Sequence, residues 1–350
     1  RRKLLVIESD DWGAIRMPSR TAYRALQRAG IPVDQFAFDR LDCLERRFDI
    51  EALLSVLSAH RDMNSSAPKF TANMVMGNPD FEAIRRDDYR RYHHEPFLHS
   101  YQRVYGENCW GLWKEGIDGL IFDPQFHARS HLNPELWLSD LRSGHQQALF
   151  SFENEFYGLT TRTGQPGRQN YLAAYWPATE DDMANVNREF HDGVSEFKAV
   201  FGKRPDSFVA CNYVWPDELE REVLSRGIRV IQGQRGQLKV SRVGKKMGRR
   251  SLHTGLKNLN VQTYVVRNVF FEPFLDPSKD WVSKCLREIR NAFILGTPAV
   301  ISSHRANYVS EMKYSNRDRN LRQLNELLYQ VKKLWPEVEF STSKDIVVSD

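Results

Sequence analysis

The sequence predicts an α/β fold in which strands and helices alternate along one large unit. Two observations lead to this prediction: apolar runs typical of buried strands alternate with amphipathic helical segments, and no composition shift marks a linker. Hydrophobic residues make up 41% of the 350 positions and aromatic residues 12%, which excludes a disordered chain and supplies a large core. A βα-repeating chain of this length favours a closed barrel or a doubly wound sheet. We therefore expect residues 1–350 to form one domain.

Each predicted element is a run with one regular apolar pattern. The clearest is the helix 180–201, in which apolar residues recur every three or four positions up to Gly202. The predicted strands are 3–8, 69–75, 119–126, 207–211, 228–232, 262–266, 299–303 and 337–340. The other predicted helices are 20–28, 49–60, 135–142, 217–226, 281–295 and 318–334. Seven or eight strands thus alternate with helices, and long insertions are expected near 77–118, 144–177 and 233–260.

Cysteine and charge content exclude several classes of protein. Cys43, Cys109, Cys211 and Cys285 form no C-x-x-C pair, which excludes a cysteine zinc finger and a disulfide-dense scaffold. We interpret them as core or loop thiols, which favours a reducing compartment such as the cytoplasm. The net charge is only +5, and the basic run 239–250 has no nucleic-acid motif beside it, so we expect no nucleic-acid partner. We expect no membrane span either, because no apolar run approaches the roughly 20 residues that one needs.

Ionisable residues stand at the carboxyl ends of predicted strands, where βα-repeating folds place their chemistry. Asp10 and Asp11 end the first strand, and two adjacent carboxylates repel one another unless a cation or an arginine neutralises them. His127 and His131 follow a later strand. Being four residues apart, they would lie on one face of a helical turn and could bind a single cation.

A third strand end supplies another histidine. The buried strand 299–303 delivers His304 and Arg305 at its end. Taken together, the three strand ends offer one aspartate and two histidines for a metal. A second aspartate and a further histidine remain for acid–base chemistry. This combination is typical of a metal-assisted hydrolase.

In order and spacing these motifs resemble the polysaccharide deacetylases of the NodB-homology type, a family of carbohydrate esterases. The resemblance implies a distorted (β/α)7-type barrel with long loop insertions. It implies that Asp11, His127 and His131 bind one divalent metal ion, zinc or another transition metal. Asp10 would be the general base and His304 the general acid. The implied activity is removal of acetyl or other acyl groups from an acetylated sugar or polysaccharide.

The chain departs from this family in its third motif. Where the family has an arginine that orients the base, this chain reads Phe-Val-Ala-Cys-Asn-Tyr at 208–213. Arg305 or Arg129 could supply the missing charge. Asn212 and Tyr213 could instead give an oxyanion donor or a sugar contact.

Two further positions relate to the same family. The family's Asp-Asp-Gly is interrupted here by Trp12, which would bring a large ring near the site. Asp280-Trp281 is similar to an Asp-Trp element whose aspartate partners the catalytic histidine. Because Asp280 also begins a predicted helix, a helix cap is an equally ready interpretation.

Two other functions remain open on the sequence. A glycosidase on a related barrel would use two carboxylates from Glu153, Glu155 or Glu272, but it leaves the coincidence of an aspartate with two histidines unexplained. A glycan-binding protein that retains a metal without turnover would account for the missing arginine. In the deacetylase interpretation, some aromatic rings would stack on the sugar chain. The candidates are Trp110, Trp113, Tyr175, Trp176 and Trp215.

Overall fold

A computed structural model describes residues 2–159, 171–177 and 179–348. The strands are β1 (Lys3–Trp12), β2 (Phe70–Val75), β3 (Gly77–Pro79), β4 (His94–Pro96), β5 (Phe122–Ala128), β6 (Ser207–Phe208), β7 (Val214–Pro216), β8 (Val230–Gln234), β9 (Gly236–Val240), β10 (Lys246–Ser251), β11 (Thr263–Arg267), β12 (Val269–Phe270), β13 (Ala299–His304) and β14 (Val338–Ser341). The helices are α1 (Arg20–Arg28), α2 (Ala37–Leu41), α3 (Arg47–Ser58), α4 (Phe81–Arg86), α5 (Phe97–Tyr105), α6 (Trp110–Asp118), α7 (Pro134–Arg142), α8 (Gln146–Glu153), α9 (Asp182–Phe201), α10 (Asp217–Ser225), α11 (Trp281–Ile294), α12 (Tyr314–Leu334) and α13 (Ser343–Val348).

The main sheet is parallel and curls into a nearly closed barrel. Eight strands run in the order β11-β8-β6-β5-β2-β1-β13-β12, so β11 and β12 lie at the two ends of the path, and β14 pairs with β1 beside it. Only Asn268 separates these two strands along the chain. They are therefore two halves of one interrupted strand that closes the barrel at seven strand positions. The predicted (β/α)7-type barrel is confirmed.

The predicted helices form because their apolar stripes face this sheet. In α9 the rings of Phe190 and Phe197 pack against Phe126 of β5, with Phe190 and Phe126 centroids 5.7 Å apart. Full burial of one such ring stabilises the fold by about 1.5–3 kcal/mol. The helix ends at Gly202, whose φ of 68° is the left-handed conformation that favours glycine. The sequence predicted both the apolar face of α9 and its end at Gly202.

Alternation along the strands divides the barrel interior into layers, since every second side chain points inward. The layer at the amino ends is apolar and consists of Leu4, Val6, Val230, Val265, Val300 and Ile346. The next residues on the same faces form a buried polar layer, which contains Glu8, Gln232 and Arg267. One further step along β1 and β13 brings Asp10 and His304 to the carboxyl ends. The polar layer thus lies directly beneath the candidate site.

Secondary elements fill the predicted insertions. Residues 77–118 contain the β3–β4 hairpin and three helices, and residues 233–260 contain the β9–β10 hairpin that pairs with β7. The basic run 239–250 lies in that second hairpin. Two of its charges are neutralised locally, because Lys239 pairs with Asp217 and Arg250 pairs with Glu220. The predicted insertion at 144–177 lies partly outside the described residues.

The cysteines lie where core or loop thiols were expected. All four cysteines are free and buried. Within the described ranges, no helix combines the length and the apolar character needed to cross a bilayer.

Candidate active site

A cavity of about 390 Å³ opens at the carboxyl ends of the barrel strands. The described residues that line it are Asp10, Asp11, Arg16, Phe38, His127, His131, Leu172, Ala210, Asn212, Tyr213, Gln234 and His304. The structure therefore brings the three predicted strand ends together. Asp10 and His304 meet in this cavity although they are 294 positions apart in the sequence.

Asp11 faces both histidines of the second motif. Its Oδ1 lies 3.4 Å from Nε2 of His127 and 3.3 Å from Nε2 of His131. Bonds of about 2.0–2.2 Å from nitrogen and oxygen to a tetrahedral ion would place neighbouring donors roughly 3.3–3.6 Å apart. The donor set of two imidazoles and a carboxylate therefore fits a divalent metal both in chemistry and in spacing.

The histidine pair reaches this arrangement in a different way from the one predicted. His127 lies within β5, at its carboxyl end, and His131 lies in the bend that follows, so the pair is not on a helical turn. Nδ1 of His127 hydrogen-bonds the carbonyl oxygen of Val209 at 2.8 Å. Because a carbonyl can only accept, Nδ1 carries the proton and Nε2 is free to bind a metal.

Cys211 is a site residue that the sequence interpretation missed. Its Sγ lies 3.8 Å from Nε2 of His127, and the ligand atoms of Cys211, His127 and His131 all lie within 4.8 Å of one another. Burial raises the pKa of this thiol, and positive charge on the two histidines would lower it. The residue closes the predicted strand 207–211, so the strand-end pattern used for the other motifs could have identified it.

The loop that carries Asp11 has an unusual backbone. Asp11 has a φ of 76°, and Gly13 has a φ of 85° in a position where a Cβ would lie only 2.6 Å from the carbonyl oxygen of Val75. The amide of Gly13 donates to Oε1 of Glu45 at 3.0 Å. Arg305 in turn donates to Oε2 of Glu45 at 3.0 Å and to the carbonyl oxygen of the residue after Gly13. This network fixes the direction in which Asp11 points.

Two predictions about neighbouring residues are therefore wrong. Arg305 does not contact Asp10. Its buried guanidinium instead hydrogen-bonds the loop that carries Asp11 and pairs with Asp42 at 3.0 Å. Trp12 does not approach the cavity, because the positive φ of Asp11 turns the next side chain into the core. There Trp12 is 1% exposed and packs edge-on against Trp113.

The charge that faces Asp10 comes from Arg267, at the end of β11. Nη1 of Arg267 donates to Oδ2 of Asp10 and Nη2 donates to Oδ1, both at 2.7 Å. Nε of the same guanidinium donates to Oε2 of Glu8 at 2.6 Å. Burial works to raise the pKa of Asp10, but the charge and hydrogen bonds of Arg267 outweigh it and lower the pKa to about 2.

Arg267 thus supplies the arginine that the third motif lacks. The alternative, Arg129, points away from the barrel and pairs with Glu189 at 3.0 Å and with Glu196 at 2.9 Å, so that prediction is wrong. Arg267 ends a buried apolar strand, as His304 does, and this pattern was a sequence signal that could have found it.

His304 lies on the other side of Asp10. Its Nε2 is 3.8 Å from Oδ2 of Asp10, and its Nδ1 lies 2.7 Å from Oε1 of Glu272. Burial works to lower the pKa of His304, but the charge of Glu272 outweighs it and raises the pKa to about 9. The Glu272 carboxylate therefore favours the protonated form of the ring.

Glu272, and not Asp280, partners this histidine. Asp280 is the N-cap of α11, where its Oδ1 accepts from the amide of Ser283 at 2.9 Å. The helix-cap interpretation is therefore the correct one. Glu272 is held in turn by Nδ2 of Asn307 at 2.9 Å.

Asn212 and Tyr213 both line the cavity. The strand predicted at 207–211 ends already at Phe208, and φ values of 56° and 55° at Asn212 and Tyr213 turn the chain sharply toward the cavity. The hydroxyl of Tyr213 accepts from Nη1 of Arg267 at 2.5 Å. Tyr213 therefore extends the network that holds Asp10.

The carboxylates proposed for a glycosidase do not meet in this cavity. Glu153 pairs with Arg85 at 2.8 Å, and Glu155 pairs with Arg103 at 2.9 Å. Neither glutamate lines the described part of the cavity, and Glu272 is engaged with the histidine at its edge.

The predicted sugar-stacking rings are also placed elsewhere. Of the five candidates, none is among the described residues that line the cavity. Trp113, Tyr175, Trp176 and Trp215 are buried in the core. The aromatic rings that do face the cavity are those of Phe38 and Tyr213.

Comparison with solved structures finds proteins of similar structure. A probable polysaccharide deacetylase from Pseudomonas aeruginosa is 9% identical, with a TM-score of 0.49, and the match covers 99% of this chain and 89% of that one. An allantoinase is 9% identical, with a TM-score of 0.45 over the same shares of the two chains. A 4-alpha-glucanotransferase from Thermococcus litoralis is 9% identical, with a TM-score of 0.48, over 100% of this chain and 41% of that one.

No protein-family model matches the sequence, and a search of curated proteins finds no match. Because the structural similarities are low in both identity and TM-score, the barrel rests on this chain's own strand order and the site on its own contacts.

Proposed function

We propose that the protein is a divalent-metal-dependent hydrolase that removes acetyl or other acyl groups from a sugar or polysaccharide. One observation supports this proposal above the others. Two histidines beside an aspartate, an arginine-held carboxylate and a glutamate-held histidine share one cavity at the carboxyl ends of the barrel. A deacetylase needs each of these three components. The motif resemblance agrees with it.

Asp11, His127 and His131 would hold the ion. A divalent ion there supplies Lewis acidity to the acyl carbonyl and lowers the pKa of an attacking water. Nε2 of each histidine faces Oδ1 of Asp11, so these side chains need little rearrangement to share one ion. The Glu45–Arg305 network behind Asp11 keeps the carboxylate in place before any ion arrives.

Asp10 would act as the general base. The two hydrogen bonds from Arg267 keep its carboxylate ionised and fix its plane, so that one oxygen can take the proton of the attacking water. As that proton moves to Asp10, the water oxygen attacks the acyl carbon. Tyr213 and Glu8 hold Arg267 and thereby hold the base.

His304 would act as the general acid. The Glu272 carboxylate at Nδ1 keeps the ring protonated, and Nε2 faces the cavity near Asp10. On collapse of the tetrahedral species, the Nε2 proton passes to the leaving amine or alkoxide of the sugar. The products are a carboxylic acid and the deacylated sugar.

The experiment is a product analysis with N-acetylated and O-acetylated oligosaccharides. The zinc-loaded protein is expected to release acetate without new reducing ends, and a chelator is expected to stop the release. His127→Ala should reduce acetate release by more than roughly 100-fold, because loss of a ligand exceeds the 10–100-fold cost of losing its outer-shell support.

His191→Ala is the matched control. His191 hydrogen-bonds Glu222 on the outer face of α9, so its loss should leave both metal content and rate unchanged. New reducing ends without acetate would make the protein a glycosidase. Metal and glycan binding without any acetate release would make it a binding protein. Either result would contradict the proposal.

A further inference from the structure

Cys211 is the one cysteine whose sulfur lies beside the metal-binding histidines. The residue is completely buried between Ala210 and Asn212, which both line the cavity. Its Sγ is 3.8 Å from Nε2 of His127. This nitrogen is free to bind a metal because the other ring nitrogen, Nδ1, donates to the carbonyl oxygen of Val209. The thiol is therefore positioned to share an ion with that nitrogen.

His131 supplies a second and independent observation. It is 92% buried, and within the described residues its Nδ1 has no hydrogen-bond partner. The other ring nitrogen, Nε2, lies 3.3 Å from Oδ1 of Asp11, so this buried ring presents a donor atom to the same cluster. One ligand atom of this ring also lies within 4.8 Å of the Cys211 sulfur.

Charge balance points in the same direction. A buried divalent ion is best stabilised when ligand charges cancel its own. Asp11 brings one negative charge, and deprotonated Cys211 would bring the second. Two neutral imidazoles complete the four donors, and the two negative charges cancel the charge of the divalent ion.

We propose that Cys211 binds the metal as a thiolate together with His127 and His131, and that the site therefore selects zinc or cobalt over magnesium, calcium or manganese. Thiolate sulfur is a soft ligand that suits zinc, whereas the hard cations require oxygen. On binding, the sulfur–hydrogen bond breaks, the sulfur lone pair forms the metal–sulfur bond, and the proton leaves to solvent. This inference rests on the proposed function only in requiring that an ion binds in this cavity.

Cobalt(II) spectroscopy tests the inference without an activity assay. The cobalt-loaded wild-type protein is expected to show a near-ultraviolet thiolate-to-cobalt charge-transfer band together with visible d–d bands. Cys211→Ser should lose the charge-transfer band, keep d–d bands, and bind zinc at least roughly 10-fold more weakly. Cys285→Ser is the matched control, because that buried thiol donates to the carbonyl of Phe270 outside the cavity. It should behave as wild type.

X-ray absorption at the zinc edge of the wild-type protein gives a test that needs no variant. A sulfur neighbour at about 2.3 Å is expected. Cobalt bound with d–d bands but no charge-transfer band, or zinc with only nitrogen and oxygen neighbours, would overturn the role of Cys211 and leave the proposed hydrolase intact. Failure of the protein to bind cobalt or zinc at all would overturn both.

Discussion

Replacing Arg267 with methionine is expected to lower the free energy of unfolding by about 3–5 kcal/mol. The guanidinium is fully buried and pairs with Glu8 at 2.6 Å and with Asp10 at 2.7 Å. Methionine has a similar length but no charge, so two carboxylates would remain buried without their cation. Urea denaturation of the metal-free protein measures the change.

Arg85→Met is the matched control for this prediction. Arg85 pairs with Glu153 at 2.8 Å, but both side chains are about half exposed, so its loss should cost about 1 kcal/mol or less. Adding Glu8→Gln to Arg267→Met should recover part of the loss, because one of the two uncompensated charges disappears. A loss below about 1 kcal/mol for Arg267→Met would show that this pairing contributes little to the fold.

Asp10→Asn is expected to lower acetate release by about 10²–10⁴-fold while the zinc content stays at the wild-type level. Asparagine has the same shape and can still accept a hydrogen bond from Arg267, but its amide cannot take a proton from water. Asp11, the neighbouring residue proposed to bind the metal, is unchanged. Acetate release and elemental analysis are measured on the same preparation, so that loss of the base is separated from loss of the ion.

Asp280→Asn serves as the control for Asp10→Asn, since asparagine also caps helices and Asp280 lies outside the site. Its rate is expected to match wild type. A rate for Asp10→Asn within about 10-fold of wild type would remove Asp10 as the general base.

The sequence could predict the strand ends because their signal is local. An apolar run that stops at Asp10, at His127 or at His304 marks a buried strand and the residue at its carboxyl end. The barrel then brings such ends together, since parallel strands all point their carboxyl ends to one side. This reasoning identified Asp11 and His131 as well, as near neighbours of strand ends.

The partners of these residues were harder to predict because they depend on the layers of the barrel. Arg267 reaches Asp10 from a strand 257 residues away, and a choice among several arginines requires the inward-facing register. Asp280 offered a local match to a known pattern, whereas Glu272, the true partner of His304, matches none. The positive φ of Asp11, which sends Trp12 into the core, has no signal in the sequence either.

Anomalous diffraction from crystals grown with zinc tests the central claim most directly, namely that separate strand ends build one metal centre. Data recorded on both sides of the zinc absorption edge should show one strong peak within about 2.0–2.3 Å of donor atoms from Asp11, His127 and His131. Asp10 and His304 should line the same cavity beside that peak. A zinc ion bound elsewhere in the protein, with these three side chains making no bond to it, would contradict the account.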